Sequence, residues 1–186
     1  MTWQEILSII SAIVSIASSV PYAVAIIRRK ARPQRITWLI IALLNITFLI
    51  STIMTGGNVI YIIGNFIGAF LVFLLSIKFG IGGKSRFDIV SFVIALVALG
   101  LLIAVDNKLA GLLLAVAVNV IALGLTVKKT IAKRDSEPRL VWILIATSSF
   151  LGLISLTHWS LENVLVPVCI LSFSSILSWI STGKIK

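Results

Sequence analysis

Three asparagines, Asn45, Asn65 and Asn119, stand inside long apolar runs. Each brings two N–H donors and a carbonyl acceptor. Hydrocarbon offers such groups no partner, so they must bond a neighbouring helix or line a wet cavity. Ser8, Ser11, Ser15, Ser18 and Tyr22 follow one another in steps of three or four, which puts them on one helical face. Trp38, Asn45 and Thr52 recur at intervals of seven, and Trp142 and Ser149 repeat the start of that stripe. A later run carries Cys169, Ser172 and Ser175. Neutral hydrogen bonding and aromatic contact with a small uncharged molecule are what such residues can offer. The serines also suit close helix packing, as do Gly64 and Gly68, a small-xxx-small pair. Trp38 and Trp142 equally suit a membrane–water interface.

Catalysis finds no footing. His158 is the one histidine, Cys169 the one cysteine, and they form no triad or metal-ligand set. The glycines of FGIGGK lack the spacing of a phosphate loop. We therefore expect no catalytic residues, no metal and no cofactor. Disulfide formation within the chain is excluded by the single cysteine.

The elements that position these residues follow from composition. Of the 186 residues 59% are hydrophobic and only 12% charged, and the mean hydropathy is +1.15. Soluble domains carry about 25% charged residues. A chain this apolar is expected to use the bilayer as its solvent. Seven runs have the length of a spanning helix, roughly 17–25 residues: 6–27, 36–55, 59–77, 89–105, 109–127, 140–156 and 164–181. The first lacks the basic flank of a cleavable leader and carries Glu5.

The net charge of +10 is unevenly spread. Fifteen of the sixteen Lys and Arg residues fall in alternate connections and at the C-terminus; only Lys108 falls in the other set. That asymmetry predicts a cytoplasmic C-terminus and an N-terminus outside, in an integral membrane protein of a prokaryotic inner membrane. It also argues for membrane lipid rather than nucleic acid as the basic residues' partner. All six acids lie at run ends or in connections, so no proton relay is expected in mid-membrane.

Shifted by 104 residues, the chain overlays itself: Trp38 falls on Trp142, Ser51 on Ser155 and Ser15 on Asn119. The basic knot RRKARPQRITW and the later KKTIAKRDSEPRLVW are then the same connection in two copies. The fourth run has no counterpart. The expected fold is all-α: residues 1–80 as a triple-helix unit, 81–107 carrying a linker helix, and 108–186 as a second triple-helix unit. An odd linker sets the two units parallel, a plan that places a solute site between them near mid-membrane.

At this point the residues resemble a family. Three helices, a linker and three helices, with SVPYAVAIIRRKARPQRITW closing the first helix and opening the second, look like the SWEET sugar facilitators of the PQ-loop superfamily. Pro21-Tyr22 stands where that family has Pro-Gln, and Leu125 stands where Pro21 would repeat. Asn65 in IIGNFIGAFL matches the family's substrate-contacting Asn, and Cys169 occupies the matching place in the second copy. The resemblance implies alternating access and facilitated diffusion of a neutral, sugar-like solute. The expected contacts are Asn45, Asn65, Asn119, Ser149, Trp38, Trp142, Ser15 and Cys169, with Pro21 and Pro167 as gate or hinge. A vitamin-precursor transporter of the nicotinamide riboside type is the alternative within the same plan. A non-transporting membrane protein that binds a protein partner is the alternative outside it. Homo-oligomerisation is left open.

Overall fold

The computed structural model describes residues 1–31, 33, 35–80, 86–104 and 108–182. Seven α-helices run through them: α1 Trp3–Ile27, α2 Arg35–Thr55, α3 Val59–Phe79, α4 Arg86–Ala104, α5 Lys108–Ala132, α6 Arg139–Ile154 and α7 Leu161–Ile180. Five are long and apolar enough to cross a membrane; α6, and the stretch Phe92–Leu101 of α4, are shorter apolar helices. The architecture is that of an all-α membrane protein. Its outer face is apolar, with Ile13, Ile53, Leu74 and Phe150 exposed, a surface suited to lipid tails.

Local chemistry sets the boundaries. Thr2 and Glu5 form a reciprocal capping box: the Thr2 N–H donates to Glu5 Oε2 (2.9 Å) and the Glu5 N–H to Thr2 Oγ1 (3.2 Å). That pairing starts α1 at Trp3, earlier than the hydropathy pattern alone suggests. Asn58 caps α3 by accepting from the Tyr61 N–H at 3.0 Å, and the Ser160 hydroxyl oxygen accepts from the Asn163 N–H to begin α7 at Leu161. Helix α5 runs on to Ala132, five residues past the apolar run. Lys128 and Lys129 are good helix formers whose charge suits a helix C-terminus. The 89–105 run ends on residue 105, which lies outside the described residues.

The first basic knot is a structured helix ending. Arg29 takes the left-handed conformation (φ 58°). Its N–H donates to the Ile26 carbonyl at 2.9 Å, and the Lys30 N–H donates to the Ala25 carbonyl at 2.8 Å. This is a Schellman ending with Arg in the place usually held by Gly. It turns Ala31 inward, where Ala31 is buried with Tyr22, Ala25, Ile26, Val72 and Val141.

Helix α3 lies between α1 and α2, and α7 lies between α5 and α6. The two groups meet along α1 and α6, extensively, and along α2 and α5, more sparsely; α4 packs on both α2 and α5. The main apolar cluster, including Leu44, Phe48, Tyr61, Ala98, Leu112 and Val166, joins α2–α5 and α7. Helices α1 and α3 pack closely. A Cβ placed on Gly64 would lie 2.6 Å from the Cα of Ala12, so only glycine fits there. Trp3, Trp159 and Trp179 are exposed near helix ends, whereas Trp142 is buried and Trp38 half-buried.

Candidate functional site

The serine face of α1 divides along its length. Ser11 stitches α1 to α6: its Oγ donates to the Ser148 carbonyl at 2.7 Å, and Ser148 Oγ donates back to the Ser11 carbonyl at 2.9 Å. One turn further on, Ser15 Oγ donates to Asn65 Oδ1 on α3 at 3.0 Å. Ser18 and Ser19 turn back to carbonyls of their own helix, both at 2.6 Å. Tyr22 then meets Trp38, ring centroids 5.4 Å apart and planes inclined by 49°.

From Ser15 to Tyr22 this face borders a cavity of about 90 Å³ in the half of the bundle nearer the basic connections. One water needs roughly 10–15 Å³ by this measure, so the space is several times that of a single water. Six of the expected contact residues line it: Ser15, Trp38, Asn45, Asn65, Asn119 and Trp142. They come from α1, α2, α3, α5 and α6. No acid or base is among the lining residues, so the wall is neutral.

Ser149 and Cys169 stand outside this wall. Ser149 is fully buried and accepts a hydrogen bond from the Tyr61 hydroxyl at 3.0 Å. Cys169 packs against the main apolar cluster, with the Asn119 amide nitrogen 4.0 Å from its Sγ. Pro21 and Pro167 lie inside α1 and α7, both of which continue through them. Pro167 borders a second, much smaller pocket at the far end with Thr52, Asn58 and Asn163.

Laid over the shift of 104 residues, the lining residues pair in part. Ser15 and Ser19 of α1 correspond to Asn119 and Leu123 of α5, and all four line the cavity. Trp38 and Ile41 correspond to Trp142 and Ile145, and these line it too. The match fails for the third helix. Helix α3 presents Asn65, Gly68, Ala69 and Val72, whereas α7 presents Ile170 and Ser174. Those two correspond to Phe66 and Phe70, one residue off the α3 face. One residue is about 100° of rotation, enough to turn Cys169 away and bring Ser174 in. Ser172 and Ser175, the polar face suggested by spacing, are exposed instead.

The end of the bundle away from the basic connections is closed by polar bonds between the two groups. Thr55 Oγ1 donates to Asn163 Oδ1 at 2.7 Å. The Asn58 amide donates to Ser155 Oγ, Tyr61 donates to Ser149, and Ser11 and Ser148 complete the row. Toward the basic end the cavity is bordered by Tyr22, whose side chain interacts with both Trp38 and the Glu137 carboxylate. Glu137 lies in the connection before α6, as its place in the sequence suggests, and is nonetheless buried, only 2% exposed. The connection folds inward, which hydropathy cannot register. Among the described residues no three His, Cys, Asp or Glu side chains gather as a metal site.

The chain matches no family model, no curated protein and no solved structure.

Proposed function

We propose that this protein is a membrane carrier that passes a small neutral solute through the central cavity by alternating access. The observation that carries the reading is the convergence of six polar or aromatic residues from five helices on one uncharged cavity. A row of side-chain hydrogen bonds between the two helix groups closes the opposite end. A carrier needs a site between two bodies that part first at one end and then at the other.

In this reading the helix groups α1–α3 and α5–α7 are two copies of one unit. Their shared packing order, with the third helix in the middle, supports it. So does the alignment of cavity residues on α1 with α5 and on α2 with α6. All seven helices cross the membrane, with the N-terminus outside and the basic connections in the cytoplasm. The cavity then lies in the cytoplasmic half, and the hydrogen-bonded row forms the outer closure. The resemblance to the PQ-loop and SWEET group points the same way. An uncharged wall fits facilitated diffusion rather than ion-driven uptake.

Flux in proteoliposomes tests the reading. Labelled neutral solutes should cross without an ion gradient, and Asn65→Ala should reduce that flux to the level of empty vesicles. Folded protein that passes no solute of any class would refute it.

A further inference from the structure

The shift of 104 residues lays α1 on α5 and α2 on α6, so the contact of α1 with α6 answers to the contact of α5 with α2. The first is extensive and the second sparse. Their side chains show why. Ser11 and Ser148 each donate to the other's backbone carbonyl, at 2.7 and 2.9 Å, and both are fully buried. Next along α1, Ala12 sits so close to α3 that a Cβ on Gly64 would lie 2.6 Å from its Cα. Four residues along α6, a Cβ on Gly152 would lie 2.6 Å from the Tyr61 ring, and the Tyr61 hydroxyl donates to Ser149 at 3.0 Å. Small residues and hydrogen bonds therefore join α1, α3 and α6 within about one turn of each helix.

The matching places on the other side carry none of this chemistry. Ala115 stands for Ser11, Leu44 for Ser148, Phe48 for Gly152 and Leu165 for Tyr61. Ala115, Leu44 and Phe48 belong to the main apolar cluster, and Leu165 packs against it. None of the four side chains can donate a hydrogen bond. Leu44 and Phe48 are also bulkier than the residues they stand for, which suits the sparser contact. Apolar contact has no direction, so it survives sliding. A pair of hydroxyl–carbonyl bonds needs its geometry kept.

We propose that Ser11 and Ser148 mark a permanent pivot: α1, α3 and α6 stay joined there, and the cavity opens along the line between α2 and its neighbours α5 and α7. The inference rests on the carrier reading and names the line that moves within it. In the row that closes the end away from the basic connections, the Thr55–Asn163 bond of α2 to α7 is the member that parts. The Ser11–Ser148 pair is the member that holds.

The first test needs no transport. Nitroxide pairs are placed on the full chain in lipid nanodiscs, with Cys169→Ser removing the native thiol, and read by double electron–electron resonance. Ile9→Cys with Phe150→Cys spans α1 and α6; Leu113→Cys with Ile53→Cys spans α5 and α2, and all four positions are exposed. The α1–α6 distance distribution should be narrow and the α2–α5 distribution at least about twice as wide. Ser11→Ala with Ser148→Ala should widen the first. An α1–α6 distribution as wide as the other, or one indifferent to loss of both hydroxyls, would overturn the pivot. The second test is vesicle flux. Ser11→Cys with Ser148→Cys replaces hydroxyls 3.4 Å apart; oxidation to the disulfide should leave flux within about twofold of the reduced protein. Oxidised Thr55→Cys with Asn163→Cys should pass nothing. Flux abolished by the first lock, or surviving the second, would equally overturn the proposal. Unequal widths in a protein without flux would retain the pivot and remove the carrier; flux with equal widths would do the reverse.

Discussion

Gly64 and Gly68 lie one turn apart on α3, and the structure assigns them opposite fates on substitution by alanine. A Cβ on Gly64 would sit 2.6 Å from the Cα and 2.9 Å from both the Cβ and the carbonyl oxygen of Ala12. Ordinary contact begins near 3.4 Å, so α1 and α3 must separate by about 0.8 Å. The obstacle is backbone, which cannot swing aside. Overpacking of this kind costs about 1–3 kcal/mol, against which alanine returns up to about 1 kcal/mol of helix propensity. At Gly68 the nearest atom is the Ser15 carbonyl oxygen at 3.3 Å. A shift of about a tenth of an ångström suffices there, and the propensity gain dominates. With roughly 2–4 °C per kcal/mol for a chain of this size, Gly64→Ala should lower the melting temperature by several degrees. Gly68→Ala should leave it unchanged or raise it slightly. The assay is thermal unfolding of purified protein in one detergent, followed by circular dichroism. Equal shifts for the two variants, or a Gly64→Ala protein as stable as the parent, would show that α1 and α3 do not approach as described.

Three further outcomes are expected. Thr55→Val keeps the shape of the side chain but removes the 2.7 Å bond to Asn163; it should speed maleimide labelling of Cys169 about three- to tenfold, and an unchanged rate would mean that this bond does not hold the end closed. Asn65→Ala removes the Ser15 bond as well as a lining amide; it should abolish flux while the protein stays folded, and retained flux would place the solute path elsewhere. Pro21→Ala restores a backbone donor beside the cavity; turnover should slow with solute affinity unchanged, and normal turnover would remove the hinge role.

The helices were legible because nearly every run of apolar residues became one, and because the basic connections punctuate them clearly. Their ends were less so. Hydropathy misses the Thr2–Glu5 box and the Ser160 cap, since polar caps read as the outside of an apolar run. The cavity was largely legible too. Buried asparagines and a stripe of small polar residues mark a wall that cannot face lipid. Ser149 stands outside the wall because it is taken up by the Tyr61 hydroxyl, and Cys169 stands outside it for a different reason. Correspondence along the chain carries no information about how far each helix has turned, and α7 has turned by about one residue relative to α3. Glu137 was hidden for a related reason: a connection rich in charge reads as solvated until its fold-back is seen.

Helix α4 touches both α2 and α5. Those two helices meet far more sparsely than α1 and α6 do, so the joint between the groups is tight along α1 and α6 and slack along α2 and α5. For the carrier proposed above, this arrangement implies a swing about the tight edge, with the slack edge travelling furthest. Helix α4, packed across that edge, is then a check strap: its hold on either neighbour limits how wide the joint gapes.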